Sequence, residues 1–149
     1  MKTQAFETLK NESRKYGETN DCGVIALAAC CRVDYSTAHG ALRREGRKFG
    51  KGTYMSAFHR AANALGYKTD DGQFRNFAGG TRLSSIVRRK GSGLTVSTAP
   101  KWLPRRGVFV LVTARHVLTM VNGNVIDWSA GRKHRITNIY EVTKYDFRT

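Results

Sequence analysis

Three residues of this sequence have the side chains of a nucleophile, a base and an acid that could orient the base: Cys22, His116 and Asp127. Cys22 opens an apolar, alanine-rich run, CGVIALAACC, which reads as a buried helix ending near Arg32, with Asn20 or Asp21 as its cap. At a helix N-terminus the unpaired N–H groups and the helix dipole favour a thiolate. With an imidazole close by, such a site can bring a cysteine pKa from about 8.5 into the range of roughly 3.5–7.5. Gly23 follows, with no side chain to crowd a substrate on its way to the sulfur.

His116 stands between VFVLVTAR and VLTMV, where a titratable ring costs desolvation unless it has a partner. Asp127 lies beyond Asn122-Gly123, a strong two-residue hairpin signal. With the turn centred between 122 and 123 and no bulge, position 116 pairs near 129 and position 118 near 127. Residues two apart on a strand share a face, so His116 and Asp127 become diagonal neighbours on one side of the hairpin. A carboxylate so placed holds the imidazole's tautomer and stabilises its charged form, the logic of a nucleophile–base–orienter triad.

The elements that must position these groups fall into two halves. Residues 1–17 are polar and read as an extended or loosely ordered lead-in. After the Cys22 helix, Ser36 can cap STAHGALRREG, with Ala38 and Leu42 inward and Gly46 at its end; RKFGKG then forms a basic loop. Thr53 starts a third helix in which Met55, Phe58, Ala62 and Leu65 make one stripe and Gly66 is the stop. Residues 67–81, with Gly72, Gly79 and Gly80, read as a loop or short strand. A short helix from Arg82 to Lys90 turns Leu83, Ile86 and Val87 inward. The last third changes to strand periodicity, through the hairpin and on to ITNIYEV. Helices first and an antiparallel sheet last make an α+β fold, and the absence of a linker or repeat makes residues 1–149 one domain.

Composition bounds the rest. The 149 residues suffice for a core, and 40% hydrophobic and 10% aromatic content are ordinary for a globular chain. The charge is not ordinary: 26 Lys and Arg against 11 Asp and Glu leave a formal +15, which favours an acidic partner and speeds association with it. Arg43, Arg44, Arg47, Lys48 and Lys51 form one cluster. Arg88, Arg89 and Lys90 form a second, and Lys101, Arg105 and Arg106 a third. Trp102 beside Pro104 and that arginine pair could stack bases in a nucleic-acid groove, although a tryptophan packed under a loop is the plainer expectation. Three cysteines, two of them adjacent in an apolar run, do not make a disulfide framework, and Cys30 and Cys31 read as buried structural residues. With neither a secretory leader nor a membrane span in the sequence, a reducing cytoplasm is the expected compartment. His39, His59 and His134 have no metal-ligand spacing, and GRKFGKGT lacks the Walker pattern, so neither a metal, a nucleotide nor any other cofactor is expected.

The string NDCGVIALA resembles the nucleophile segment of papain-like cysteine peptidases, particularly those that process bacteriocin leader peptides. The order Cys, His, then Asp after a short hairpin is similar as well, over roughly residues 18–32 and 107–131. More narrowly, ETNDCGV, YSTAH and GRKFGKGT resemble small phage-encoded cysteine-protease-like proteins, which extends the likeness through Thr53. The resemblance implies a papain-like fold and a nucleophile Cys22 at a helix N-terminus. It also implies host-cell cytoplasm as the setting of a phage protein, with packaging into a virion left open.

The resemblance also implies a glutamine several residues before the cysteine, whose amide helps hold the oxyanion. Here Tyr16 stands six before Cys22 and Glu18 four before. A glutamate carboxylate accepts hydrogen bonds and cannot donate them. The remaining oxyanion or substrate groups are the Cys22 N–H and the side chains of Asn20 and Thr19, with Glu18 and Gly23 beside them. Two function classes follow. The first is a peptidase or isopeptidase working through a Cys22 acyl-enzyme on a peptide or protein substrate, with acyl transfer a variant of it. The second is a weak or inactive papain-like fold that uses its charge to bind nucleic acid or an acidic host protein.

Overall fold

Thr3 accepts a hydrogen bond from Phe6 N (3.1 Å) and starts α1 (Gln4–Tyr16), which Gly17 closes in the left-handed conformation, φ 69°. The computed structural model describes residues 3–72 and 82–145. Phe6, Leu9 and Ser13 form the buried face of α1. The expectation of an extended lead-in over 1–17 is therefore corrected. The helix is amphipathic with a narrow apolar stripe, and packing of that stripe on the rest of the chain stabilises it rather than its own composition.

α2 (Cys22–Cys31) is apolar on all sides and correspondingly buried, packing on α1, α3, α4 and β3. Arg32 ends it at φ 53°. α3 (Tyr35–Arg44) is capped by Asp34, whose carboxylate accepts from Thr37 N at 2.8 Å. The cap expected at Ser36 thus lies two residues earlier, and the Ser36 hydroxyl itself donates to Asp34 (3.1 Å). α4 (Met55–Ala64) begins after Tyr54, not at Thr53, and has no side-chain cap. Phe58 and Ala62 are buried, Met55 and Leu65 partly so, and Gly66 follows at φ 93°.

β1 (Tyr67–Asp70) leads towards residues 73–81, where Gly79 and Gly80 lie outside the described residues. α5 (Leu83–Lys90) and α6 (Ala99–Trp102) then precede β2 (Val108–Thr113), β3 (Val117–Val121), β4 (Asn124–Ile126) and β5 (Ile136–Lys144). The strands form one antiparallel sheet in the order β1-β5-β2-β3-β4. The architecture is α+β.

Both faces of this sheet are covered. One packs against α1 to α4 through Val110, Val117, Ile126 and Val142, and the other against α5, α6 and Leu94 through Phe109, Leu111, Met120 and Ile139. That explains why VFVLV and VLTMV are continuously apolar rather than alternating. Thr119 fastens sheet to helix: its buried Oγ1 donates to Ala26 O of α2 at 2.7 Å. Asn122 and Gly123 both take positive φ (48° and 82°), and Val121 pairs with Asn124. The turn is the two-residue kind whose twist suits a hairpin.

Candidate active site

Cys22 is the first residue of α2, half-buried at the end of the sheet where β3 begins. The first amides to bond within the helix are Val24 N (2.9 Å) and Ile25 N (3.1 Å), both to Asp21 O. The amides of Cys22 and Gly23 precede them, among the N–H groups that a helix start leaves to other acceptors. Burial acts to raise the Cys22 pKa. Hydrogen bonds from His116 and from Val117 N–H, together with the charge of the imidazole, outweigh it and hold the thiol below its ordinary value.

His116 sits just before β3, with its carbonyl accepting from Thr113 N at 2.8 Å. Nε2 lies 2.6 Å from Asp127 Oδ2, which leaves Nδ1 for the sulfur of Cys22. Burial lowers the pKa of this ring, but its hydrogen bonds to Asp127 and Cys22, and the charges of both, raise it to about 9. A thiol pushed down and an imidazole pushed up by each other are the two halves of a thiolate–imidazolium pair.

Asp127 immediately follows β4. The paired register ends at Thr119↔Ile126, and His116 and Asp127 meet just beyond that end of the hairpin. This is the meeting that the turn position implies. The same Oδ2 also accepts from Ser129 N (3.0 Å) and from the Ser129 hydroxyl. Ser129 is fully buried, and sequence reasoning misses it. Its signal is an aspartate with a serine two residues on, the spacing at which a carboxylate bonds the backbone ahead of it. Trp128, an exposed ring, lies tilted beside His116 with ring centroids 5.1 Å apart.

The residues expected to serve the oxyanion or substrate are placed differently. Glu18 faces inward, its side chain fully buried, and accepts from Arg47 Nη1 (2.7 Å) and Nη2 (3.2 Å), Gly50 N (2.9 Å) and its neighbour Thr19 N (3.1 Å). His39 Nε2 lies 2.7 Å from its Oε2. Burial alone would raise this carboxyl, but Arg47, Gly50 N–H and His39 together hold it at about 2. Glu18 is thus the hub that ties the segment before the nucleophile to α3 and to the loop after it, and it is withdrawn from substrate.

Asn20, at φ 52°, donates its amide to Gly50 O at 3.1 Å, while Thr19 is exposed. Gly23 does not open a path to the sulfur. It is buried against Thr53, and a Cβ at position 23 would lie 2.5 Å from Thr53 Oγ1. Its lack of a side chain serves this close approach. The Asp21 side chain makes no cap bond to α2. It accepts instead from the Ser13 hydroxyl and from Tyr35 OH (2.8 Å), locking α1 and α3 to the start of α2.

No family model matches this chain, and no curated protein or solved structure matches it.

The other two cysteines lie deep in α2 with their sulfurs 3.7 Å apart. The Cys31 thiol and burial push the Cys30 pKa well up. Of the basic residues, Arg88, Arg89 and Lys90 form the last turn of α5, where positive charge suits the helix dipole. Lys90 Nζ lies 3.6 Å from the centroid of the Trp102 ring and Lys101 Nζ 5.0 Å, so that ring already carries cations rather than an open stacking face. Arg105 and Arg106 are exposed beyond them. Among the described residues no His, Cys, Asp and Glu cluster of three could hold a metal ion, and no helix is long and apolar enough to cross a membrane.

Proposed function

We propose that this protein is a cysteine hydrolase of the papain-like type, acting on a peptide or isopeptide bond. The observation that carries the reading is the chain of contacts from Cys22 at the start of α2, through His116, to Asp127 Oδ2 at 2.6 Å. The Cys22 thiolate attacks the carbonyl carbon, and the electron pair of the C=O bond moves to oxygen. The developing oxyanion forms beside the amides at the N-terminus of α2, where the Cys22 N–H is the donor in place. His116 then gives its Nδ1 proton to the leaving amine, the C–N bond breaks, and a thioester to Cys22 remains. His116, neutral again, takes a proton from water. The hydroxide equivalent adds to the thioester, and the sulfur leaves as thiolate with the imidazolium beside it. Asp127 keeps Nε2–H donated to itself throughout, so Nδ1 is the nitrogen that works, and Ser129 keeps Asp127 in place.

Intact-mass analysis with an electrophilic cysteine probe tests the reading on wild type, Cys22→Ala and His116→Ala. A single adduct that both variants lose supports it. An adduct absent from Cys22, or indifferent to His116, sinks it.

A second reading is a basic binding protein on the same fold. The carboxylate of Glu18 turned inward and the occupied amide of Asn20 favour it, because both reduce the donors left for an oxyanion, and so does the +15 charge. It expects binding to nucleic acid or an acidic protein that weakens steeply with salt and survives Cys22→Ala unchanged.

A further inference from the structure

A cleft of about 650 Å³ opens between the 45–54 segment and the first turns of α4. Four cations line it: Arg47, Lys48, Lys51 and Arg60. Arg60 is bridged to Glu45, also on the wall (Nε to Oε2, 3.0 Å), and Arg47 is held by Glu18. Lys48 and Lys51 are exposed and pair with no carboxylate among the described residues, so the cleft keeps a positive surplus.

Two further observations point the same way. Among the described residues, two buried side-chain nitrogen or oxygen atoms lack a hydrogen-bond partner, Arg47 Nε and Thr53 Oγ1, and both belong to residues of this one wall. Both atoms are buried behind the cleft surface, Thr53 Oγ1 against Gly23, so the wall is under-satisfied and the groups open to a ligand are the exposed Lys48 and Lys51. The uncapped start of α4, at Tyr54, Ser56 and Ala57, also lies on the cleft. Thr53 connects the cleft to the nucleophile, since its side chain packs on Gly23, the residue after Cys22.

We infer that this cleft is a substrate subsite for acidic side chains, so that the protein acts on peptide segments bearing Asp or Glu within a few residues of the bond it cuts. The inference rests on the hydrolase reading for what happens at the bond, but the binding of an acidic peptide here does not depend on catalysis. Phosphate oxygens have the same acceptor chemistry as carboxylates. The volume of the cleft, the scale of a small-ligand site rather than a strand-length groove, and its place beside Gly23 favour a short peptide over an extended polynucleotide.

The test has a binding arm and a cleavage arm. Hexaglutamate, hexalysine and a thymidylate hexamer are titrated into the full chain carrying Cys22→Ala at low salt. Hexaglutamate is expected to bind and hexalysine not to. Adding Lys48→Ala/Lys51→Ala should weaken hexaglutamate about tenfold or more, whereas the same charge loss at Lys68→Ala/Lys144→Ala should stay within about twofold. No binding of hexaglutamate, equal loss in both double variants, or tighter binding of the thymidylate hexamer would overturn the inference.

In the cleavage arm a proteome-derived peptide library is digested and the cut sites are read by mass spectrometry. Acidic enrichment that Lys48→Ala/Lys51→Ala abolishes supports the subsite. Cleavage without that enrichment, or with enrichment that the double variant keeps, overturns the subsite and leaves the hydrolase standing. A library left uncut counts against the hydrolase, and the binding arm then decides the acidic subsite by itself.

Discussion

His116 and Asp127, eleven residues apart in sequence, meet at 2.6 Å because a two-residue turn at Asn122-Gly123 brings them together just beyond the paired end of one hairpin. The Asp127 carboxylate is a principal reason that the imidazolium persists to about pH 9. Asp127→Asn removes its charge and allows the amide to present a donor to Nε2. The His116 pKa should fall, the thiolate–imidazolium pair should be depleted at neutral pH, and alkylation of Cys22 should slow by roughly tenfold or more with its pH profile displaced upward. The rate of iodoacetamide incorporation from pH 5 to pH 10 measures this. A profile that coincides with wild type would show that Asp127 does not govern the pair. Ser129→Ala, which loosens Asp127 without touching its charge, should give the same displacement in smaller measure.

The three cysteines should separate by reactivity. Cys22 is half-buried with a lowered pKa, whereas Cys30 is fully buried with a pKa pushed well up, and Cys31 is buried beside it. The thiolate is the reacting form; the pair with His116 favours it at Cys22, while burial keeps the reagent from Cys30 and Cys31. One adduct, located at Cys22 by peptide mapping, is the expected outcome for the native protein, and all three should react once it is unfolded. Equal rates in the native state would defeat the hydrolase reading.

Glu18 and Arg47 make a buried pair, and removing one partner leaves the other charge without compensation. Glu18→Gln should cost on the order of 3–5 kcal/mol in urea unfolding at neutral pH. The dependence on pH has a definite sign. The Glu18 pKa is lowered from 4.5 to about 2 on folding, so its contribution is fully present above pH 4.5 and is lost as pH falls towards 2. The difference in stability between wild type and Glu18→Gln should therefore be constant from pH 5 to 7 and shrink below pH 4.5. A difference that grows on acidification would contradict the assignment.

Gly23 has no room for a methyl group. Its Cβ would stand 2.5 Å from Oγ1 and 2.7 Å from Cβ of Thr53. Gly23→Ala should destabilise the fold by about 1–3 kcal/mol and slow Cys22 alkylation, because the 50–54 loop must move away from the start of α2. Thr53→Gly in the same chain removes the colliding atoms and should recover part of both losses, whereas Thr53→Ser keeps them and should not. Calorimetry and alkylation rates on the four proteins read the coupling.

Relationships between residues close in sequence, or bound by the period of one element, are legible in the chain itself. The apolar run from Cys22 reads as a helix because it is ten residues long and alanine-rich, and α4 stops just before Gly66 because the stop signal is local. The meeting of His116 and Asp127 follows from turn position and the two-residue period of a strand. α1 is legible in its parts, Thr3 at one end and Gly17 at the other, but its two buried apolar residues are too few to outweigh the charged ones around them.

The α+β order of elements, the start of the nucleophile helix and the hairpin geometry of base and acid all depend on local spacing, and the chain specifies them unaided. Their surroundings come from tertiary packing. Glu18 finds Arg47, Gly50 and His39 at separations of 29, 32 and 21 residues, and Gly23 meets Thr53 thirty positions on. No periodicity reports such pairs, because the packing of whole helices brings them together. For the same reason a glutamate that stands where an oxyanion donor is sought proves to be the buried anchor of the loop behind it.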